Sequence, residues 1–187
     1  IDAAWPRYVI DDELRGADGV KLGDVDKDGD LDIVTGWEES GRTRIYFYPG
    51  AGNVKKKWPF VDIGETPSVE DAVFFDIDGD GWLDVVSSCE GKTKKMYVHW
   101  NPGRDAQKAA GAWRQQELPA SVAVMQWMFS TPISISSKQP LALVAGGKNK
   151  NAALGLFETS KSSHSLNYKW RALYSAGWIM SIYALDM

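Results

Sequence analysis

The sequence contains a single cysteine, Cys89, so no disulfide can form within the chain. Cross-linking, if the fold needs it, must come from packing or from bound metal. The lone thiol does not decide the compartment, because an exported protein can do without disulfides. No apolar run approaches the roughly 18 residues of a membrane span, and no signal peptide is visible from Ile1 onward. A basic surplus is also missing. The formal net charge is -4, which argues against the cationic footprint of a nucleic-acid-binding protein. Convincing helical periodicity is absent, apart from one candidate helical turn within a loop at residues 104–111.

Aspartate, glycine and tryptophan are what the chain has in quantity. Of the 25 acidic residues, nine are aspartates in two short segments: Asp24, Asp26, Asp28, Asp30 and Asp32, then Asp76, Asp78, Asp80 and Asp84. The acidity is therefore local. Two calcium ions would add +4 and cancel the net charge of -4. The first aspartates of the two segments lie 52 residues apart. Each segment runs into Leu-Asp and an apolar stretch, Ile33-Val34-Thr35 or Val85-Val86-Ser87. An aromatic strand ending in Pro-Gly follows each, at Tyr46-Phe47-Tyr48-Pro49-Gly50 and Tyr97-Val98-His99-Trp100-Asn101-Pro102-Gly103. Trp5, Trp58, Trp113 and Trp170 recur at spacings of 53, 55 and 57 residues.

This periodicity is an internal repeat, and it sets the fold expectation. Each unit reads as four short strands rich in Val, Ile, Tyr, Phe and Trp, bounded by Gly, Asn and Pro. Four antiparallel strands repeated radially make an all-β β-propeller. The expected units are 18–64, 70–118 and 127–175. An outer strand of a preceding blade is expected within 1–11, and the start of a further blade at 178–187. In the third unit, Ser134, Ser136, Lys138 and Ala142 stand where the second has Asp76, Asp78, Asp80 and Asp84, so no calcium is expected there. Three units are fewer than the four to eight blades of a propeller. The expectation is a partial ring, completed by further blades of a longer chain or by a second copy.

The acidic segments have the chemistry of calcium loops. Calcium takes six to eight oxygen ligands. Aspartates at positions 1, 3 and 5 supply carboxylates, and Gly29 or Gly81 at position 6 permits a sharp bend. The main-chain carbonyl at position 7, Asp30 or Trp82, is a further donor, and Asp32 or Asp84 at position 9 closes the shell. An EF-hand is excluded, because position 12 is Thr35 or Ser87 rather than glutamate and the flanks are strand-like. Two calcium sites are expected, each of modest affinity, roughly 10⁻⁴ to 10⁻³ M.

Residues 23–32 (Gly-Asp-Val-Asp-Lys-Asp-Gly-Asp-Leu-Asp) and 75–84 (Phe-Asp-Ile-Asp-Gly-Asp-Gly-Trp-Leu-Asp) resemble the FG-GAP/VCBS family of repeats. That family occurs in calcium-binding propellers, including integrin heads and many bacterial surface proteins. The resemblance implies a ring of about seven blades, with calcium in the loop joining strands one and two of a blade.

A ligand is expected on the face away from the calcium loops. The candidates are Trp37, Glu38, Arg42, Glu90, Lys92, Lys148 and Asn149 from one set of loops, and Glu70, Asp71, Trp127 and Trp178 from another. Tryptophan beside charged and amide side chains suits a sugar surface, although each such residue could equally be a solvated turn or inter-blade packing. His99 reads as a packed strand residue, His164 as a loop residue and Cys89 as an inert thiol. The functional expectation is a secreted, periplasmic or cell-surface module, stabilised by calcium, that binds a polysaccharide or a surface protein. The alternative is part of a propeller-type polysaccharide lyase or hydrolase. No catalytic residue can be assigned from the sequence.

Overall fold

The computed structural model describes residues 5–134, 141–159 and 166–184. Ser136, Lys138, His164 and Asp186 lie outside them. The described chain is all-β, with three antiparallel sheets of four strands and one short 3-10 turn, Pro119–Ser121. The first sheet comprises β1 (Ala17–Gly23), β2 (Asp32–Trp37), β3 (Arg42–Tyr46) and β4 (Phe60–Glu65). The second comprises β5 (Val69–Phe75), β6 (Asp84–Cys89), β7 (Lys95–Trp100) and β8 (Arg114–Glu117). The third comprises β9 (Gln126–Ser134), β10 (Leu141–Lys148), β11 (Ala153–Thr159) and β12 (Tyr168–Ser175). Within each sheet, strands neighbour one another in chain order. These are blade-like repeats, and none of the described helical structure is long and apolar enough to cross a membrane.

The sheets stack face to face, and strand alternation explains how. Successive side chains of a strand point to opposite faces. On β5, Ala72 and Phe74 join a core with Val34, Ile45, Phe47 and Val61 of the first sheet. Their neighbours Val73 and Phe75 join a second core with Leu143, Phe157 and Tyr168 of the third sheet. Val85 and Val86 on β6 divide in the same way. The middle sheet therefore needs apolar residues on both faces, and consecutive pairs such as Val73-Phe74 and Val85-Val86 supply them. Each such side chain, fully buried, contributes about 1.5–3 kcal/mol.

Polar contacts tie the sheets at chosen points. His99 is fully buried between the first two; its Nδ1 lies 3.1 Å from the Ile63 carbonyl and its Nε2 2.9 Å from Ser87 Oγ. A Cβ at residue 64 would lie 2.5 Å from His99 Cε1, so Gly64 is what lets the ring approach. Burial pushes the His99 imidazole down to about 4, so it is neutral at pH 7.

Three local expectations are corrected. Residues 5–16 form no strand. Their carboxylates instead meet Arg44, which is 4% exposed and pairs with Asp11 at 2.6 Å, Asp62 at 2.6 Å and Glu13 at 3.3 Å. A buried guanidinium demands such partners, and the segment supplies them while bonding Trp58 N–H through Ile10 O and Ser40 Oγ through Arg15 N–H. Residues 178–184 likewise form no strand; Trp178 makes one isolated bridge to Lys148. Residues 104–111 form successive turns, with Asp105 in the left-handed region at φ 69°, and not a helical turn.

Candidate metal centres and ligand face

Both acidic segments are the connections between the first and second strands of their sheets, β1 to β2 and β5 to β6. Their backbones match. Positions 4 and 6 are left-handed in each: Lys27 at φ 60° and Gly29 at 93°, Gly79 at 77° and Gly81 at 90°. Glycine takes this conformation without steric cost, whereas Lys27 bears some strain. Asp24 accepts from Gly29 N–H at 3.1 Å, and Asp76 from Gly81 N–H at 3.0 Å. At position 9, Asp32 bonds Val25 N–H at 3.1 Å and Tyr48 N–H at 2.9 Å. Asp84 bonds Ile77 N–H at 3.2 Å and Asn101 N–H at 2.8 Å. The position-9 carboxylate thus pins the loop to the strand beneath.

Carboxylate oxygens of Asp24, Asp26 and Asp32 all lie within 4.8 Å of one another, as do those of Asp76, Asp78 and Asp84. Positions 1, 3 and 9 therefore converge. Asp28, Asp80 and Asp30 stand outside the triads. Asp28 and Asp80 each cap the turn, accepting from Asp30 N–H at 2.9 Å and Trp82 N–H at 2.8 Å. Trp82 contributes no side-chain oxygen. Burial, with added push from Asp26 and Asp28, raises the Asp32 carboxyl to about 6. Burial, with Asp78 and Asp80, raises Asp84 to about 7. Like charges held close disfavour full ionisation unless a cation joins them. Oδ1 of Asp26 is buried with no hydrogen-bond partner, while its Oδ2 pairs with Lys108 at 2.6 Å. Three converging hard oxygens, one of them orphaned, fit calcium in chemistry.

The two loops also touch. Asn101 Nδ2 donates to Val25 O at 3.2 Å and to Leu83 O at 2.9 Å. Lys27 Nζ stands 4.2 Å from the centre of the Trp82 ring.

A third acidic triad, Glu38, Glu70 and Glu90, forms where strand-two ends meet strand-one starts, at the other end of the sheets. Here a lysine sits among the carboxylates. Lys148 pairs with Glu90 and lies 3.6 Å from Glu70, with Trp178 4.9 Å away across its ring face. Burial, then the Glu90 charge, pushes Glu70 up to about 7, against the pull of Lys148. Glu38 is raised by burial, then by Asp18 and Glu90.

This end thus brings together Glu38, Glu70, Glu90, Lys148 and Trp178 of the expected ligand residues. Three others are not surface groups. Trp127 is fully buried against Phe157 and Trp170, with its Nε1 donating to Ser121 O at 2.8 Å. Asp71 is fully buried, bonding Lys21 at 3.0 Å and Ser130 N–H at 3.0 Å as a tie between sheets. Trp37 is also buried. Strand residues that sequence patterns place near a turn were packed between sheets instead. Arg42 pairs with Glu65 at 2.8 Å, Lys92 is exposed, and Asn149 turns at φ 65° with its N–H on Gly177 O at 3.1 Å.

Lys27, Arg104, Gln107 and Lys108 were not among the expected site residues. The signal was the long connection at residues 101–113, far beyond a tight hairpin turn. It folds back over the first acidic loop.

Residues 24–87 match the FG-GAP-like repeat family. The match starts at the first aspartate of the first loop and runs past the second, so it takes in both triads. No curated protein matches the chain. The repeat match and the three four-stranded sheets suggest a repeat module of β-propeller type.

Proposed function

We propose that the chain is a calcium-stabilised section of a β-propeller, exported from the cell, that binds a polysaccharide or a surface protein. One observation carries the metal reading: two loops 52 residues apart each bring the carboxylates of positions 1, 3 and 9 within 4.8 Å. Asp24, Asp26 and Asp32 would hold one ion and Asp76, Asp78 and Asp84 the other. A bound dication would offset the burial and the neighbouring carboxylate charges that together raise Asp32 and Asp84. By fixing Asp32 and Asp84, which bond Tyr48 and Asn101, it braces the turn onto the third strand of the sheet.

The outer sheets support completion by further blades or a second copy. Val20 and Leu22 on β1, and Leu173 and Tyr174 on β12, are all at least half exposed. Apolar strand faces of that kind suit another blade. About seven blades is the ring size that the repeat resemblance implies.

The ligand reading rests on the Glu38, Glu70, Glu90, Lys148 and Trp178 cluster, where charged groups and an exposed tryptophan meet. A second reading, as part of a polysaccharide-cleaving enzyme, draws on Glu70. A carboxyl held up to about 7 beside a second carboxylate is what a general acid requires. The test of both is a screen of neutral and acidic polysaccharides, scoring retention and new reducing ends, with Glu70→Gln and Trp178→Ala. Retention lost in Trp178→Ala without product supports the binding module. Product lost in Glu70→Gln supports the enzyme. Retention unchanged in both variants overturns this ligand face.

A further inference from the structure

A cleft of about 540 Å³ opens beside the first acidic loop, on the opposite end from the glutamate cluster, lined by Asp26, Lys27, Trp82, Arg104, Gln107 and Lys108. Its size is within the usual range for small-ligand sites. Three features distinguish it from an ordinary charged surface. First, Gln107 is 4% exposed, yet its Nε2 has no hydrogen-bond partner. An unpaired buried amide donor is destabilising, and native structures hold few of them. Second, three cationic side chains from two different sheets share the cleft with an aromatic ring. Lys27 comes from the first loop, and Arg104 and Lys108 from the β7–β8 connection. Third, acceptors stand among the donors: Asp105 also lines the cleft, and Asp26 Oδ1 is buried and unpartnered.

We propose that this cleft binds an acidic sugar residue, and that calcium in the first loop tightens the binding. The carboxylate or sulfate takes the cationic groups and the Gln107 amide. The sugar hydroxyls take Asp105, and Trp82 offers an apolar plane beside them. Cations alone would suit any polyanion. The interleaved carboxylates disfavour a nucleic-acid backbone and suit a ligand with one acidic group among several hydroxyls. Lys108 links the cleft to the metal. Its Nζ is 2.6 Å from Asp26 Oδ2 and 4.9 Å from the centre of the Phe47 ring. Calcium and Lys108 compete for Asp26, so an ion there releases the ammonium to the anion and adds positive charge. By linkage, the acidic sugar must tighten calcium by the same factor. The coupling rests on the proposed metal site; the cleft itself does not, and neither depends on the glutamate cluster.

The test is calorimetric titration of the full chain with trigalacturonate, a sulfated disaccharide and maltotriose, each with calcium and with chelator. The acidic probes should bind, more tightly with calcium, and maltotriose should not. Whichever acidic probe binds better identifies the anion as carboxylate or sulfate. Gln107→Met should weaken binding about tenfold while leaving Tm unchanged or higher, because it deletes an unpaired donor. A purely structural Gln107 would lower Tm instead. Lys108→Gln should weaken binding and reduce its calcium dependence to what the charge of the ion alone contributes. Binding of maltotriose equal to that of the acids, or acid binding unaffected by both substitutions, would overturn the cleft. Calcium uptake without any change in acid affinity would overturn the coupling. Absence of calcium uptake would overturn the metal reading and leave the cleft to stand or fall on the chelated titration.

Discussion

Carboxylates gather in threes at both ends of the sheets, one triad at the glutamate end and two at the aspartate end, but the charge is balanced differently. At the glutamate end, Lys148 is 14% exposed and pairs with Glu90 beside Glu70, so the cation is built into the chain. At the aspartate end, Lys108 is 58% exposed and touches one oxygen of Asp26, leaving the other without a partner. An acidic triad is thus no evidence of a metal by itself. What separates the two is whether the protein supplies a buried counter-charge. In the first aspartate loop the counter-charge in the chain is a mostly exposed lysine on one oxygen of Asp26, and under the proposed function a calcium ion would supply the rest.

The comparison can be broken most forcefully at the aspartate end. At about 10 mM calcium, sites with dissociation constants of roughly 10⁻⁴ to 10⁻³ M each add about 1.4–2.7 kcal/mol of stability. Calcium should therefore raise Tm clearly, and Asp32→Asn with Asp84→Asn should erase the rise. A calcium-induced shift that survives both substitutions would place the metal elsewhere.

The next largest effect is expected at the glutamate end. Lys148→Met strands three carboxylates, and breaking a largely buried pair should cost about 2–3 kcal/mol in urea denaturation at pH 7. The variant should recover stability as pH falls and the glutamates protonate. A neutral effect at pH 7 would mean that Lys148 is solvated rather than a built-in counter-ion.

Titration sharpens the same contrast. Asp32 and Asp84 have folded values raised to about 6 and about 7. In the metal-free protein they bind more protons folded than unfolded between pH 4 and 7. They therefore add stability at low pH that is lost as pH rises through 6 and 7. Calcium reverses this by favouring the ionised form, so the calcium-induced gain in Tm should shrink as pH falls from 7 to 5. His99, lowered to about 4, works the other way: its contribution is complete above about 6.5 and is lost as pH falls towards 4. It cancels in the difference between calcium-loaded and chelated samples. A calcium increment that is flat across this range would contradict the assignment of Asp32 and Asp84 as ligands.

The smallest expected effect separates the two loops from each other. Lys27→Gly would relieve left-handed strain where Gly79 already stands in the second loop, and would lose the contact with Trp82. Each effect is about 1 kcal/mol or less, so the net change in Tm should be small.

Much of the fold was legible in the sequence because the repeat is written in residues with stringent physical demands. The aspartates at alternate positions, the position-6 glycines and the apolar runs after Leu31 and Leu83 marked the loops and the strands behind them. The ligand end was less legible. Trp37, Trp127 and Asp71 carry functional-looking chemistry, but alternation within a strand does not tell an inter-sheet contact from a loop mouth. Lys148 as counter-ion to Glu90 joins sheets that are distant in sequence, and so does Lys108 with Asp26. The terminal segments misled because a strand-like pattern needs a partner edge, and residues 5–16 found Arg44 instead.

The most direct measurement is the stoichiometry of calcium binding by calorimetry in the parent chain, in Asp32→Asn, in Asp84→Asn and in the double variant. Two sites, one, one and none are predicted. A stoichiometry that stays at two in the single variants, or no heat in the parent, would contradict the account.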